Sequence, residues 1–157
     1  MSEVVKDALV DRALLEQWLC GNQQAIDLVM SWFAIFHVWD DLKDKDSPLA
    51  DDAIDDSMYA MLIAVPNNPF FSANRSLLTG QLTTAIFEWH AANELEAGAD
   101  PHDLEIAYTL RCNVVGLIQL CALLCGGPKH ARAVGPEIRR YAQRETLAQY
   151  VEDLGHA

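Results

Sequence analysis

Apolar residues recur along this chain at three- and four-residue spacing, the period of a helix, and no stretch sustains the alternation of a strand. The pattern predicts six helices. The first covers Val4 to Cys20, or begins later with Asp11 as its cap, and stops at Gly21-Asn22. Asn22 then caps a long second helix running through Ile26, Val29, Phe33, Phe36, Trp39 and Leu42. Ser47-Pro48 reads as the start of a third, with serine as cap and proline at the first helical position. That helix is expected to end before Pro66, with Pro66-Asn67-Asn68-Pro69 as a loop. A fourth covers Phe70 to Glu96, with Gly80 as a point of interruption, and closes at Gly98. Asp100-Pro101 opens a fifth, apolar on nearly every side, which ends at Gly126-Gly127-Pro128. The last covers Pro136 to Leu154. A helix apolar on most faces must be enclosed by the others, so the expectation is an all-α bundle around a central helix. No repeat, low-complexity tract or linker divides the chain, and residues 1–157 read as a single helical domain.

Composition narrows the function classes. The chain has 157 residues, enough to bury a core without disulfides or metals, and 51% are hydrophobic. Its 23 acidic and 11 basic residues give a net charge of −12, which repels nucleic acids and bare anionic membranes. An anionic ligand would need positive charge gathered locally, and a divalent cation held by carboxylates supplies it. The acidic N-terminal residues do not read as a signal peptide, and the longest apolar stretch, Val114 to Cys125, is too short to span a bilayer. Four cysteines (Cys20, Cys112, Cys121, Cys125) form no CxxC and lack histidines at zinc-site spacing. A cytoplasmic location is expected.

The candidate chemistry lies at the end of the second helix. On a wheel of about 100° per residue, Ile26, Val29, Trp32, Phe33, Phe36 and Trp39 form a wide apolar face. Asp40 falls inside that face, Asp44 sits at its edge beside His37, and Asp41 points further round towards solvent. A carboxylate on an apolar face costs several kcal/mol, roughly, unless it is paired or hydrated. Mg²⁺ accepts one or two carboxylates plus waters and phosphate oxygens, so Asp40, Asp41 and Asp44 are candidate ligands. Two readings stay open: a metal site, or a solvated charge run with Lys43, Lys45 and Asp46. A stability role is disfavoured, because anions oppose the dipole at a helix C-terminus. Asp51, Asp52, Asp55 and Asp56 fall in the first turns of the third helix, where that dipole favours them, and read as structural.

The run Trp32-Phe33-Ala34-Ile35-Phe36-His37-Val38-Trp39-Asp40-Asp41-Leu42-Lys43-Asp44 resembles the aromatic helix ending in DDxxD of class I isoprenoid (terpene) synthases, particularly bacterial terpene cyclases. A second segment is similar too: Trp89-His90-Ala91-Ala92-Asn93-Glu94, then Gly98, Pro101, Leu104-Glu105, Tyr108, Arg111 and Gly116. The family's R-R-x-T-x-G-like run reads here Arg111-Cys112-Asn113-Val114-Val115-Gly116. It keeps the first arginine and the glycine but has Cys112 and Val114 where arginine and threonine are usual. The resemblance covers about Ala25 to Gly127, the front part of a family member. Neither an NDxxSxxxE pattern nor a second DDxxD follows.

The resemblance implies Mg²⁺ on Asp40, Asp41 and Asp44 bridging the oxygens of a diphosphate. Arg111, with Arg139 or Arg140, would contact that diphosphate, and a helix break near Gly116 would face the substrate. Arg111 has a second reading, as a structural ion-pair partner. Phe33, Phe36, His37, Trp39 and Trp89 are candidate pocket residues, with plain core as the rival reading for each ring. The implied activity is that of a terpene synthase-like lyase or transferase acting on a prenyl diphosphate, its catalysis incomplete or lost. The rival is a non-catalytic helical module for assembly or interaction, of phage type or a dimerisation unit, that keeps only the fold. Both readings predict a homodimer, because a bundle short of its partner helices leaves apolar surface to cover.

Overall fold

The computed structural model describes residues 11–44, 48–98 and 100–155, with the side chain of Asp44 outside that set. Among them every element is helical and no strand is present, as an all-α protein requires. They form two compact units, one ending at Arg75 and the other beginning at Ser76.

The N-terminal unit opens with α1 (Arg12–Trp18), whose cap is Asp11: its carboxylate accepts from Ala13 N at 2.9 Å. Of the two predicted starts, the later one falls on described residues and is the one observed. Cys20 (φ 53°) and Gly21 (φ 70°) then turn left-handed and end the helix. Glycine takes that conformation freely, whereas cysteine seldom does. Asn22 Oδ1 accepts from Ala25 N at 3.1 Å and caps α2 (Gln23–Asp44) as predicted. Leu15, Trp18, Ile26, Leu28 and Val29 on these two packed helices are buried almost completely. Each such side chain contributes about 1.5–3 kcal/mol. The exposed Arg12–Asp27 ion pair at 3.0 Å adds about 1 kcal/mol at most. Burial holds this pair together.

Both expectations built on the next prolines fail. The third helix does not begin at Pro48: α3 spans Asp51–Tyr59, with Ala50 in the cap position and no side-chain cap. Ser47 lies outside the described residues. Asp51 and Asp52 occupy the first turn, where the dipole favours negative charge, and this supports the later start. Pro66 does not stop the helix either. The chain passes from α3 through a π turn (Ala60–Ala64) into a last α turn (Val65–Asn67) that contains Pro66. Proline lacks an N–H and crowds the carbonyl four residues back; a widened turn relieves that crowding. The predicted loop shrinks to Asn68 (φ −68°, ψ 124°). Its Oδ1 accepts from Phe71 N at 3.0 Å, and its Nδ2 donates to Gln24 O at 2.9 Å, tying this corner to α2.

Helix α4 (Pro69–Ala97) breaks at Asn74 (φ −118°, ψ 17°), whereas Gly80 stays helical. Asn74 Nδ2 donates to Phe70 O at 2.9 Å, a side-chain bond that competes with the helical ladder.

In the C-terminal unit α5 (Pro101–Arg111) begins as predicted, with Asp100 Oδ1 accepting from His102 N (2.9 Å) and Asp103 N (3.3 Å). It ends much sooner than expected. Residues 112–114 form a turn, and the helix resumes as α6 (Val115–Ala142). Gly127 (φ 76°, ψ 179°) bends α6 where an end was predicted, and Pro136 lies inside the stretch beyond it instead of starting a helix. The predicted last helix is split, because residues 143–146 leave the helix. Thr146 and Gln149 then cap each other's backbone and start α7 (Leu147–Asp153). Between the two breaks Val115, Leu117, Ile118, Cys121 and Ala122 are buried, so the enclosure predicted for the whole fifth helix applies to this segment within its unit. By length and composition the helical run within Pro101–Asp153 could cross a membrane. Its breaks leave about a dozen regular residues at the apolar centre, against about 20 for a bilayer.

Candidate functional site

The aspartates of α2 sit differently from the wheel prediction. Asp41, expected towards solvent, is the buried one at 8% exposure, and Asp40, expected inside the apolar face, is half-buried. The side chain of Asp44 lies outside the described residues. Asp41 follows Val38, His37, Ala34 and Met30 at spacings of 3, 4, 7 and 11, so these five form one stripe along the helix. Helix α3 and the π turn pack against α2. A wheel gives the direction of a residue but not which directions another helix will cover. Asp41 has one recorded partner among the described residues, His37, with Nε2 at 3.9 Å from Oδ2. That exceeds hydrogen-bond length.

The same stripe borders an open groove of about 500 Å³. Met30, Ser31, Ala34, His37 and Val38 line it from α2, Ala53, Asp56 and Ser57 from α3, and Ala60 from the π turn. Its wall mixes small aliphatic side chains with Ser31, His37, Asp56 and Ser57 and holds no Phe, Trp or Tyr, in contrast to the predicted aromatic pocket. Of the pocket residues expected on α2, His37 lines it, while Phe33 and Phe36 are half-buried on neighbouring rows, Phe36 6.3 Å from Trp39. Among the described residues no three His, Cys, Asp or Glu side chains are grouped to hold a metal ion. The oxygen donors that Mg²⁺ prefers are present in kind at Asp40 and Asp41, but the ion-pair partner of Asp41 among the described residues is an imidazole nitrogen.

Arg111 belongs to the C-terminal unit and is held there by side-chain bonds. Its Nε donates to Glu96 Oε1 at 2.6 Å, one Nη to Glu96 Oε2, and that Nη also to Asn93 Oδ1 at 2.6 Å. Tyr150 Oη donates to the same Glu96 carboxylate. Trp89, buried at 8% exposure, lies with its ring centroid 5.8 Å from Arg111 Cζ. Burial opposes the guanidinium charge, but the bonds and charge of Glu96 outweigh it and raise the pKa above its ordinary value. Burial, and then the bond to Glu96, likewise raise the Tyr150 phenol. Of the two readings of Arg111, the geometry is that of the ion-pair partner. Arg140 is exposed; its neighbour Arg139 donates to Gln119 Oε1 at 3.1 Å.

A helix break does stand beside Gly116, at residues 112–114. It is fixed by packing onto α4: Asn113 Nδ2 donates to Ala85 O, and a Cβ at Gly116 would lie 2.5 Å from Gln81 Nε2. Glycine here lets the Gln81 amide approach. The cysteines are free thiols, and burial pushes Cys112 up to about 11 and Cys121 up to about 12. Such thiols are poor nucleophiles and poor metal ligands near neutral pH.

The sequence reading missed Glu96, Asn93, Asn113 and Tyr150. Asn93 and Glu96 stand at i, i+3 on one helix face, and Tyr150 lies amid Leu147, Val151 and Leu154, which pack on Ala92 and Ala107. Those spacings were available, but no local pattern pairs Glu96 with an arginine 15 residues on. Comparisons of the chain with family models, curated proteins and solved structures give no match.

Proposed function

We propose that the protein is a helical binding module whose N-terminal unit grips a divalent cation through the aspartates of α2, and through that cation a diphosphate. Mg²⁺ is the ion that the isoprenoid-synthase resemblance implies, with Asp40, Asp41 and Asp44 as its oxygen ligands. One observation carries the reading: Asp41 is a carboxylate at 8% exposure with no hydrogen bond among the described residues. Burying such a charge costs several kcal/mol, roughly, and a bound cation offsets that cost. When bound, the ion would neutralise phosphate charge beside a groove able to take an apolar tail. The reading is binding without turnover. Arg111, the basic residue expected on the diphosphate, is committed to Glu96, and the second metal-binding wall of the family has no counterpart in the sequence.

Thermal unfolding with Mg²⁺ plus pyrophosphate tests this. A ligand at 100 times its Kd stabilises the folded state by about 2.7 kcal/mol, or roughly 5–10 °C for a chain of this size. The wild type should show that shift and Asp41→Asn should lose it. Equal midpoints with and without ligand in the wild type sink the proposal.

A non-catalytic assembly module is the second reading, and a specific observation favours it. Met58, Tyr59, Met61, Leu62 and Ile63, on α3 and the π turn, are 45–64% exposed. Apolar side chains clustered at a surface mark contact sites. Sedimentation of wild type and Leu62→Glu decides: a dimer that the charge dissociates supports assembly through this run, and a wild-type monomer at every concentration rejects it.

A further inference from the structure

We infer that His37 and Asp41 form a two-residue chelate for a divalent cation that accepts nitrogen ligands, of the Zn²⁺ or Co²⁺ class. The inference rests on the reading that Asp41 takes a cation, and it changes which cation the site prefers. The two residues stand at i, i+4 on α2, with Nε2 and Oδ2 3.9 Å apart. That gap is too long for a hydrogen bond, about 3.2 Å at most. Two ligand atoms on one tetrahedral Zn²⁺, each at about 2.0–2.1 Å, stand roughly 3.3–3.4 Å apart, so a side-chain shift of about half an ångström brings both atoms onto one ion. Asp41 is the held ligand, 10% exposed at its side chain, and His37 is the open one at 44%, lining the groove through which an ion and its remaining ligands would enter. Water or the oxygens of a phosphorylated ligand would complete the shell. Imidazole suits Zn²⁺, Co²⁺ and Ni²⁺, whereas Mg²⁺ selects oxygen and keeps its waters.

The molecule carries its own control. His102 Nδ1 and Glu105 Oε2 lie 3.7 Å apart at i, i+3, a similar pair at a similar distance, but their side chains are 78% and 61% exposed. That carboxylate is hydrated and gains little from an ion, while Asp41 is desolvated before the ion arrives. Burial should therefore separate the two pairs in affinity.

The test titrates the full chain with Zn²⁺ and follows the imidazole nitrogens by long-range ¹H–¹⁵N NMR, with free cysteines blocked by alkylation. His37 Nε2 should respond first, at least tenfold lower in Zn²⁺ than His102. Asp41→Asn and His37→Gln should each weaken that first event at least tenfold, while His102→Gln leaves it unchanged; circular dichroism confirms that each variant is folded. A first response at His102, or one at His37 that survives Asp41→Asn, overturns the inference. Failure here is separable from failure of the diphosphate reading. A Mg²⁺-pyrophosphate stabilisation with a silent His37 rejects only the chelate, and Zn²⁺ at His37 without that stabilisation rejects only the diphosphate.

Discussion

Two carboxylates in this protein are removed from water to similar degrees and treated in opposite ways. Glu96 meets the fork of Arg111 and the hydroxyl of Tyr150, on elements that α4, α5 and α7 bring together. Asp41 meets one imidazole at 3.9 Å. A buried charge that accepts three hydrogen bonds, as Glu96 does, is a structural part, since removing a partner exposes the desolvation cost of the other. A buried charge left short of donors keeps that cost, which the proposed cation would offset. The contrast separates scaffold from site more sharply than sequence motifs do. By motif, Asp41 and Arg111 stood as two arms of one function.

The largest effect that would break this comparison is at Arg111. Arg111→Ala leaves Glu96 buried and uncompensated and should cost about 3–5 kcal/mol, read from urea denaturation. A loss under about 1 kcal/mol would erase the distinction. Asp41→Asn should behave in the opposite sense in the absence of divalent cations. Removing a poorly partnered charge should leave stability unchanged or raise it by about 1 kcal/mol. A clear loss there would mean that Asp41 is as well satisfied as Glu96. Tyr150→Phe comes next, at about 1 kcal/mol for one hydrogen bond to a carboxylate that keeps its arginine. Combined with Arg111→Ala, it should be strongly non-additive in a double-mutant cycle, because both partners share Glu96.

The smallest effect is a pH dependence at the start of α7. Burial, and then the bond and charge of Asp153, hold the Glu145 carboxyl above its ordinary value of 4.5. The folded state therefore binds that proton more tightly than the unfolded chain does. This contributes stability at low pH, which is lost as pH rises through the raised value. Replacing the acid with Glu145→Gln should flatten that slope on the acid side of neutrality, measured as the denaturation midpoint against pH. An unchanged slope would show that Glu145 and Asp153 do not share a proton.

What the sequence determined by itself was local: the helical period, the caps at Asp11, Asn22 and Asp100, and an interruption at Gly127, expected as an end and observed as a bend, are dictated by neighbours within a few residues. It also marked α2 as the carrier of the acidic cluster. Tertiary structure decided the rest. Pro66 was accommodated by a π turn, the apolar fifth helix was broken at residues 112–114 by contacts to Gln81 and Ala85, and Arg111 was claimed by Glu96. It also decided which aspartate is buried. A helical wheel gives every side chain a direction, but desolvation depends on what the fold lays over that direction, and the fold left Asp41 at 8% exposure while leaving His37 at the groove.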